Sequence, residues 1–433
     1  MLALHKQSGL ALLMLVFLLA LVAVGIFVNA LDSSGVKNER DKKTTAALAE
    51  AKAALIGYAA SRDLTSTSCV SNCARPGDLL CPDTDNDGDA EGSCGNAVGS
   101  TGQTNRLGRL PWKTLGLPDL RDGDGERLWY AVSNNYKNNT RFLPLNSDTT
   151  ATITLRDGNG SIIFDGTNNG VVAVVIAPRA ALVRQDLVLQ VRNGATNQTN
   201  AENYLDIALG EDNQNFVDSN TNGFIMGPVK DASGNVILND QIIAITSAEM
   251  NGAMESRVLA EVRGELNNYY AINSFYPAPA DFNDANCLGN GDVPSCNEGA
   301  LTLTRGRIPA NPSTAWAGAT RLGSLGDSNW FQQNAWREVI YYAVAPDCLP
   351  GTLNCTGGNK LTLNSPVNFP ANNKEFILIA TGSRVGVQDR SLIVNQGLEV
   401  NYLEDENLLP LDDVYMRTIP ITTIINDRAI TSP

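Results

Sequence analysis

Histidine is almost missing from this chain. The single copy in 433 residues, His5, lies ahead of the first hydrophobic run. The body of the protein therefore has no residue for histidine acid/base chemistry, a Ser-His-Asp triad or a His-rich zinc site. Charge is also scarce, at 18% of residues, and its balance is acidic, with a net charge of −14. No basic stripe exists to follow a phosphate backbone, which excludes nucleic acid as a partner. P-loop, GxSxG and dinucleotide fingerprints are absent, and no pair of carboxylates is singled out for glycoside hydrolysis, so the chain does not read as an enzyme. What it has is length and 43% hydrophobic content, enough for two or three domains with cores of their own.

All eight cysteines follow the first hydrophobic run, and they fall into close pairs: Cys69 and Cys73, Cys81 and Cys94, Cys287 and Cys296, Cys348 and Cys355. No Cys-x-x-Cys occurs and no histidine can act as co-ligand. Local disulfides in an oxidising compartment are the expected use. Eight cysteines allow about 105 pairings, of which nearest neighbours are the expected set.

The hydrophobic run LALLMLVFLLALVAVGIFV, Leu10 to Val28, carries no charge and has about the ~20 residues needed to cross a hydrocarbon core. It is longer than an ordinary signal-peptide core and lacks a clean small-x-small cleavage site after it, so the expectation is an uncleaved or specially processed membrane helix. Lys6 and the amino terminus on one side face Lys37, Arg40, Lys42 and Lys43 on the other, diluted by Asp32, Glu39 and Asp41. Charge alone leaves the orientation open.

The chain also repeats itself. LAEAKAALIGYAA (Leu48 to Ala60) aligns without gaps on LAEVRGELNNYYA (Leu259 to Ala271), each with apolar residues at helical spacing. Later landmarks recur in the same order: GRLPW at Gly108 and GRIPA at Gly306, ERLWYAV at Glu126 and EVIYYAV at Glu338, GVVAVVIAPR at Gly170 and EFILIATGSR at Glu375. NYLD at Asn203 is matched by NYLE at Asn401, and NDQIIAIT at Asn239 by NDRAIT at Asn426. A period of roughly 200 residues is the size of a domain rather than of a solenoid unit. The short β-branched and aromatic runs bounded by Gly, Asn and Pro suit strands packed on a helix. The reading is α+β: a hydrophobic N-terminal helix (10–31) continuing into an amphipathic helix, then two tandem homologous helix-plus-antiparallel-sheet domains, 32–250 and 251–433, with the second helix starting near Met254.

KQSG followed by the apolar run and the amphipathic Thr44 to Ser61 segment resembles the N-terminus of type IV pilins and type II secretion pseudopilins. The resemblance implies a leader, residues 1–9, removed by prepilin peptidase between Gly9 and Leu10, and an exposed helix that packs into a filament core. Major pilins carry Glu at the fifth mature position; here that position is Met14. A subunit without this carboxylate resembles the minor pilins and pseudopilins that start or cap a filament, and two domains on one stalk fit a tip better than a crowded shaft. The series CPDTDNDGD, GRLPW, ERLWYAV and NYL(D/E) is also similar to a group of prepilin-type proteins of Gram-negative bacteria. By this resemblance the two domains are pilin-like, the chain is a single-pass inner-membrane protein with periplasmic or filament-borne extracellular domains, and its partners are the membrane, other pilin or pseudopilin subunits and prepilin peptidase.

One stretch suggests a metal. In CPDTDNDGDAEGSC (Cys81 to Cys94), Asp83, Asp85 and Asp87 stand at positions 1, 3 and 5 of an EF-hand-type loop, Gly88 at 6, Asp89 at 7 and Glu91 at 9. Cys94 replaces the bidentate Glu at position 12. A ligand from DLRDGDGE, with Asp119, Asp122, Asp124 and Glu126, could complete a Ca2+ site. The other reading is a disulfide-closed set of Asx turns, which Asp, Asn and Gly form without any ion. DSNTNG (Asp218 to Gly223) shows a weaker version of the pattern, and ADFNDANCLGNGDVPSC in the second repeat keeps the cysteines but thins the acids. The five tryptophans read as anchors rather than sugar platforms, Trp129 above all as core. The function expected is a minor pilin-like subunit presenting two domains for initiation, adhesion or substrate contact. A permanently anchored calcium-dependent adhesin or carbohydrate-binding protein is the alternative, and an anchored hydrolase ranks third.

Overall fold

The computed structural model describes residues 35–433 except 65–73, 96–103, 139–143, 289–295, 317–321, 323–329, 353, 367, 369, 409–412 and 418–424. The run Leu10 to Val28, the cleavage pair Gly9 and Leu10, Met14, and the pair Cys69 and Cys73 lie outside the described residues. Among the described residues no helix is long and apolar enough to cross a membrane.

Helix α1 covers residues 35–60. Ala47, Leu48, Ala51, Leu55 and Ala59 recur at three- and four-residue spacing, and all five are buried in one core, the stripe expected of a helix laid on a sheet. Helix α2, Ser247–Asn273, does the same with Val258, Leu259, Val262, Leu266 and Tyr269. It starts before Met254 because Thr246 caps it: the Thr246 side chain accepts from the Glu249 N–H, and the Glu249 carboxylate accepts from the Thr246 N–H at 2.9 Å. This capping box is written in the sequence as Thr-Ser-Ala-Glu.

Two four-stranded antiparallel sheets carry the repeated landmarks. The first consists of β1 (Leu107–Arg109), β2 (Trp129–Val132), β3 (Val171–Ala177) and β4 (Gln241–Thr246), paired in that order. The second consists of β5 (Arg305–Arg307), β6 (Ile340–Val344), β7 (Phe376–Ala380) and β8 (Arg428–Thr431), again paired in order. Registers agree as well. Gly108 faces Tyr130 and Gly306 faces Tyr342, while Tyr130 faces Val175 and Tyr342 faces Leu378. Smaller two- and three-stranded sheets flank these, so the molecule is mixed α/β.

Strands β2, β3, β6 and β7 are buried along their whole length, which explains why they read as continuous apolar runs rather than alternating ones. In the first sheet, Tyr130, Val132, Val172 and Val175 join the helix core. Trp129, Val174 and Ile176 face a second cluster with Tyr204, Phe216 and Phe224. Trp330 and Trp336 are also buried.

Helix α2 packs on β3 and β4 of the first sheet and on β7 and β8 of the second. One contiguous core therefore runs from Ala47 to Ala429 through both repeats. Polar contacts cross the same boundary: Asn334 Oδ1 accepts from Arg75 Nη1 at 2.8 Å and from the Leu145 N–H at 3.0 Å, and Arg390 Nη1 meets Asp148 at 2.9 Å. The boundary expected near residue 250 is thus the β4-to-α2 turn, with no linker between the repeats. Disulfides join Cys81 to Cys94, Cys287 to Cys296 and Cys348 to Cys355.

Candidate functional site

The acidic loop is clamped to the edge of the first sheet before any side chain is considered. Asp83 forms a bridge with Arg109: the Asp83 N–H donates to Arg109 O at 3.0 Å and the Arg109 N–H returns a bond to Asp83 O at 2.6 Å. A Cβ on Gly108 would sit 2.5 Å from Asp83 O, so the glycine of GRLP is there to let the loop approach. Repeat two makes the same bridge between Ala280 and Arg307, and a Cβ on Gly306 would sit 2.1 Å from Ala280 O. Ala280 stands where Asp83 stands, and the thinning of acids in the second repeat therefore removes the first ligand position.

Within the loop the buried Asp83 carboxylate accepts from the N–H groups of Asn86 at 2.6 Å and Gly88 at 2.7 Å. Burial pushes its carboxyl above the ordinary aspartate range and the nearby Asp87 and Asp85 charges add to this, against the pull of the two backbone bonds. Gly88 takes φ +95°, a left-handed turn that suits glycine. The Asp85 carboxylate accepts from the Asp87 N–H at 3.1 Å and the Asp87 carboxylate from the Asp89 N–H at 2.8 Å. Asp89 lies 3.8 Å from Lys113 Nζ, and Glu91 accepts from the Thr84 hydroxyl at 2.6 Å. The fold brings oxygens of Asp83, Asp85 and Glu91 within 4.8 Å of one another. Three carboxylates converging in this way are a donor set for a hard divalent cation.

Asp122, Asp124 and Glu126 do not join that set. Asp122 is buried; it accepts from the N–H groups of Asp124 and Glu126 at 2.9 and 3.0 Å and from the Arg179 N–H at 2.8 Å. Asp124 pairs with Arg40 at 3.1 Å and Arg179 at 2.8 Å, and Glu126 with Arg192 at 3.3 Å. Asp122 is committed to backbone N–H groups and Asp124 and Glu126 to arginines, and the Asp124–Arg40 pair ties the strand connection to α1. The segment reaches the acidic loop through Arg127 instead. Asp119 holds Arg127 Nε at 2.9 Å, and Arg127 Nη1 donates to Asn86 O and Oδ1 at 3.1 and 2.9 Å. Asp218 of the weaker motif is buried and paired with the buried Arg106.

A second constellation, present in both repeats, goes beyond the landmarks read from the sequence. The Arg109 guanidinium lies 3.9 Å from the Tyr204 ring centroid and 4.3 Å from that of Trp129, with Arg192 at 4.8 Å from Tyr204. In repeat two Arg307 lies 5.0 Å from Tyr402 and 3.9 Å from Phe282, with Arg390 at 4.2 Å from Tyr402. Each tyrosine is thus flanked by two arginines. Arg192 donates to Asn203 O at 2.9 Å and Gln190 Oε1 at 2.7 Å; Arg390 donates to Asn401 O at 2.5 Å and Gln388 Oε1 at 3.2 Å. The sequence signal was a gap-free block, Gln-x-Arg-x4-Asn-Gln-x4-Asn-Tyr-Leu, beginning at Gln190 and at Gln388; only its last residues are evident when the repeats are compared by short landmarks.

A carboxyl pair follows each block. Asp240 accepts from the Asp206 N–H and from Asn213 Nδ2, both at 2.8 Å; Asp427 accepts from the Glu404 N–H at 3.2 Å and from Asn407 Nδ2 at 3.0 Å. Burial raises Asp206 to about 6. Asp240 and Asp427 are held well above the ordinary range, by burial first and then by the charge of Asp206 and Glu404 respectively. These pairs lock the strand-four entrance of each sheet.

No known family, curated protein or solved structure gives a significant match to this chain. The geometry gathers three carboxylates at the acidic loop and braces two like repeats with buried arginines and acids.

Proposed function

We propose that the chain is a minor pilin-like or pseudopilin-like subunit, anchored in the inner membrane through Leu10 to Val28, cut by prepilin peptidase after Gly9, and assembled with other such subunits at or near a filament tip. The observation that carries the reading is the sequence KQSG followed by an uncharged run, with Met14 in place of the fifth-position Glu. It is supported by α1, which follows that run in the chain and buries its apolar face under the first sheet, as the amphipathic segment after a pilin-like hydrophobic run would. The role is presentation of a rigid two-repeat body for initiation, adhesion or substrate contact, and no enzymatic step is assigned to it. Co-expression of the full chain with a prepilin peptidase should remove residues 1–9, read as a mass shift. An unshifted mass would sink this reading.

The convergence of Asp83, Asp85 and Glu91 favours a second reading, a permanently anchored calcium-dependent adhesin, which the same experiment separates from the first. In either case Ca2+ at the loop would stiffen the edge of the first sheet. Titration calorimetry of the full chain with calcium should show one site that Asp83→Asn abolishes. Equal heats from Asp83→Asn and the parent would reduce the loop to Asx turns.

A further inference from the structure

We infer that an arginine-lined cavity of the first repeat, beside the acidic loop, binds a phosphate dianion, free or as a small monoester. The cavity, of about 230 Å³, is lined by Arg109, Arg121, Arg127 and Arg192, with Glu126 the carboxylate among its walls and Asn86 of the acidic loop at its side. It is smaller than the roughly 300–1,000 Å³ of drug-sized sites, so its occupant is a small group. Asp119 pairs with Arg121 at 2.7 Å and with Arg127 at 2.9 Å, and Glu126 pairs with Arg192 at 3.3 Å. Four guanidiniums against two carboxylates leave a charge of plus two, in a chain whose own net charge is −14. Arg109 is the cation left over. It is buried, and its hydrogen bonds go to carbonyls, Gln198 O at 3.0 and 2.8 Å and Arg127 O at 3.0 Å, using three of its five N–H groups. Buried charges are ordinarily paired, and no carboxylate among the described residues forms an ion pair with this one.

The second repeat is built differently at the same place. Ala280 takes the register of Asp83, so Phe282 takes that of Asp85, and the Phe282 ring covers Arg307 at 3.9 Å while packing on Tyr402 at 5.3 Å. Strand register likewise sets Val339 where the first repeat has Arg127. A ring and a valine in one repeat thus stand in for an acidic-loop residue and an arginine in the other, around the same arginine and tyrosine frame. The acidic loop does not oppose an anion at close range. Asp85 and Asp87 turn their carboxylates to the N–H groups of Asp87 at 3.1 Å and Asp89 at 2.8 Å, and neither lines the cavity. Guanidinium forks match phosphate oxygens, and a charge of plus two matches the roughly −1.5 to −2 of a phosphate monoester at neutral pH. The inference stands whether or not the chain enters a filament or binds calcium.

The test is titration calorimetry of the full chain in detergent, without calcium and at constant ionic strength, with inorganic phosphate, glycerol 3-phosphate and acetate as probes. Phosphate should give saturable heat and acetate none. Glycerol 3-phosphate binding at least as tightly as phosphate assigns the site to esters, and weaker binding assigns it to the free ion. Arg121→Ala should weaken phosphate binding about tenfold, the size of one hydrogen bond to a charged group; the Arg121 side chain is 43% exposed, so the fold does not depend on it. Arg257→Ala removes the same charge from α2, where Arg257 pairs with Glu261 outside the cavity, and should leave the affinity unchanged. No saturable heat with phosphate, equal heat from acetate, an Arg121→Ala chain of parental affinity, or an equal loss in Arg257→Ala would each overturn the proposal.

Discussion

Arg109 and Arg307 hold equivalent places and do equivalent work. Arg109 donates to Gln198 O at 2.8 Å and Arg127 O at 3.0 Å, and Arg307 to Phe282 O at 3.0 Å and to Gln396 O and Glu338 O at 2.6 Å. Burial pulls the Arg109 guanidinium down to about 10, yet it remains charged at neutral pH. Removing either side chain strips several buried carbonyls of their donors and leaves its tyrosine stacked on one arginine instead of two. Arg307→Ala should therefore cost about 3 kcal/mol, read from the urea midpoint. Arg307→Lys should recover little of it, because an ammonium cannot present a planar fork to carbonyls in different directions. A loss well under 1 kcal/mol would mean that the stack is incidental. GR(L/I)P was visible in the sequence as a repeated landmark, but its purpose was not. The tyrosine that each of these arginines shares with a second arginine, Tyr204 or Tyr402, lies 95 residues further along the chain, and no local pattern around GR(L/I)P points to it. The acidic loop was legible for the opposite reason, since its Asx turns and its converging carboxylates all fall within one short segment.

Among the elements, α2 shows where sequence reading was sufficient and where it was not. Its apolar spacing and its likeness to α1 were readable, and the capping box at Thr246 gives its start. That it would serve two sheets was not readable, because periodicity reports that a face is buried and not against what. Glu255 on α2 is the residue in which this matters most. Burial pushes its carboxyl up to about 7, against the lowering effect of Ser147, Arg428 and Arg390. An unfolded glutamate titrates near 4.3, so the folded form binds a proton more tightly than the unfolded form. The resulting stability is complete below about pH 4 and is lost as pH rises through about 7. Thermal melts from pH 5 to pH 8 should show the parent losing on the order of 2 kcal/mol more than Glu255→Gln, since the amide can still bond Ser147 and Arg428. Parallel curves for the two proteins would refute a buried, proton-binding Glu255.

At the scale of the whole molecule the repeat invites the idea of two independent domains, and the packing argues against it. The first sheet lies under α1 and part of α2, and the second sheet takes its helix cover from α2. Cutting the chain at residue 246 would strip α2 from β3 and β4 of the first repeat, and would leave the second repeat attached to a helix with half its apolar face bare. Burying an aliphatic side chain is worth about 1.5–3 kcal/mol, while whole domains are stable by only about 5–15 kcal/mol; neither half can give up such a face and remain folded. Asn334, Arg75 and Arg390 add polar contacts that the separated halves would leave unmet. Residues 35–433 should accordingly unfold in one calorimetric transition, with the van't Hoff enthalpy close to the calorimetric one, and residues 35–246 expressed alone should show no cooperative melt. Two resolved transitions, or a cooperative melt from the 35–246 fragment, would mean that α2 merely touches the second sheet and that the two repeats are separate modules.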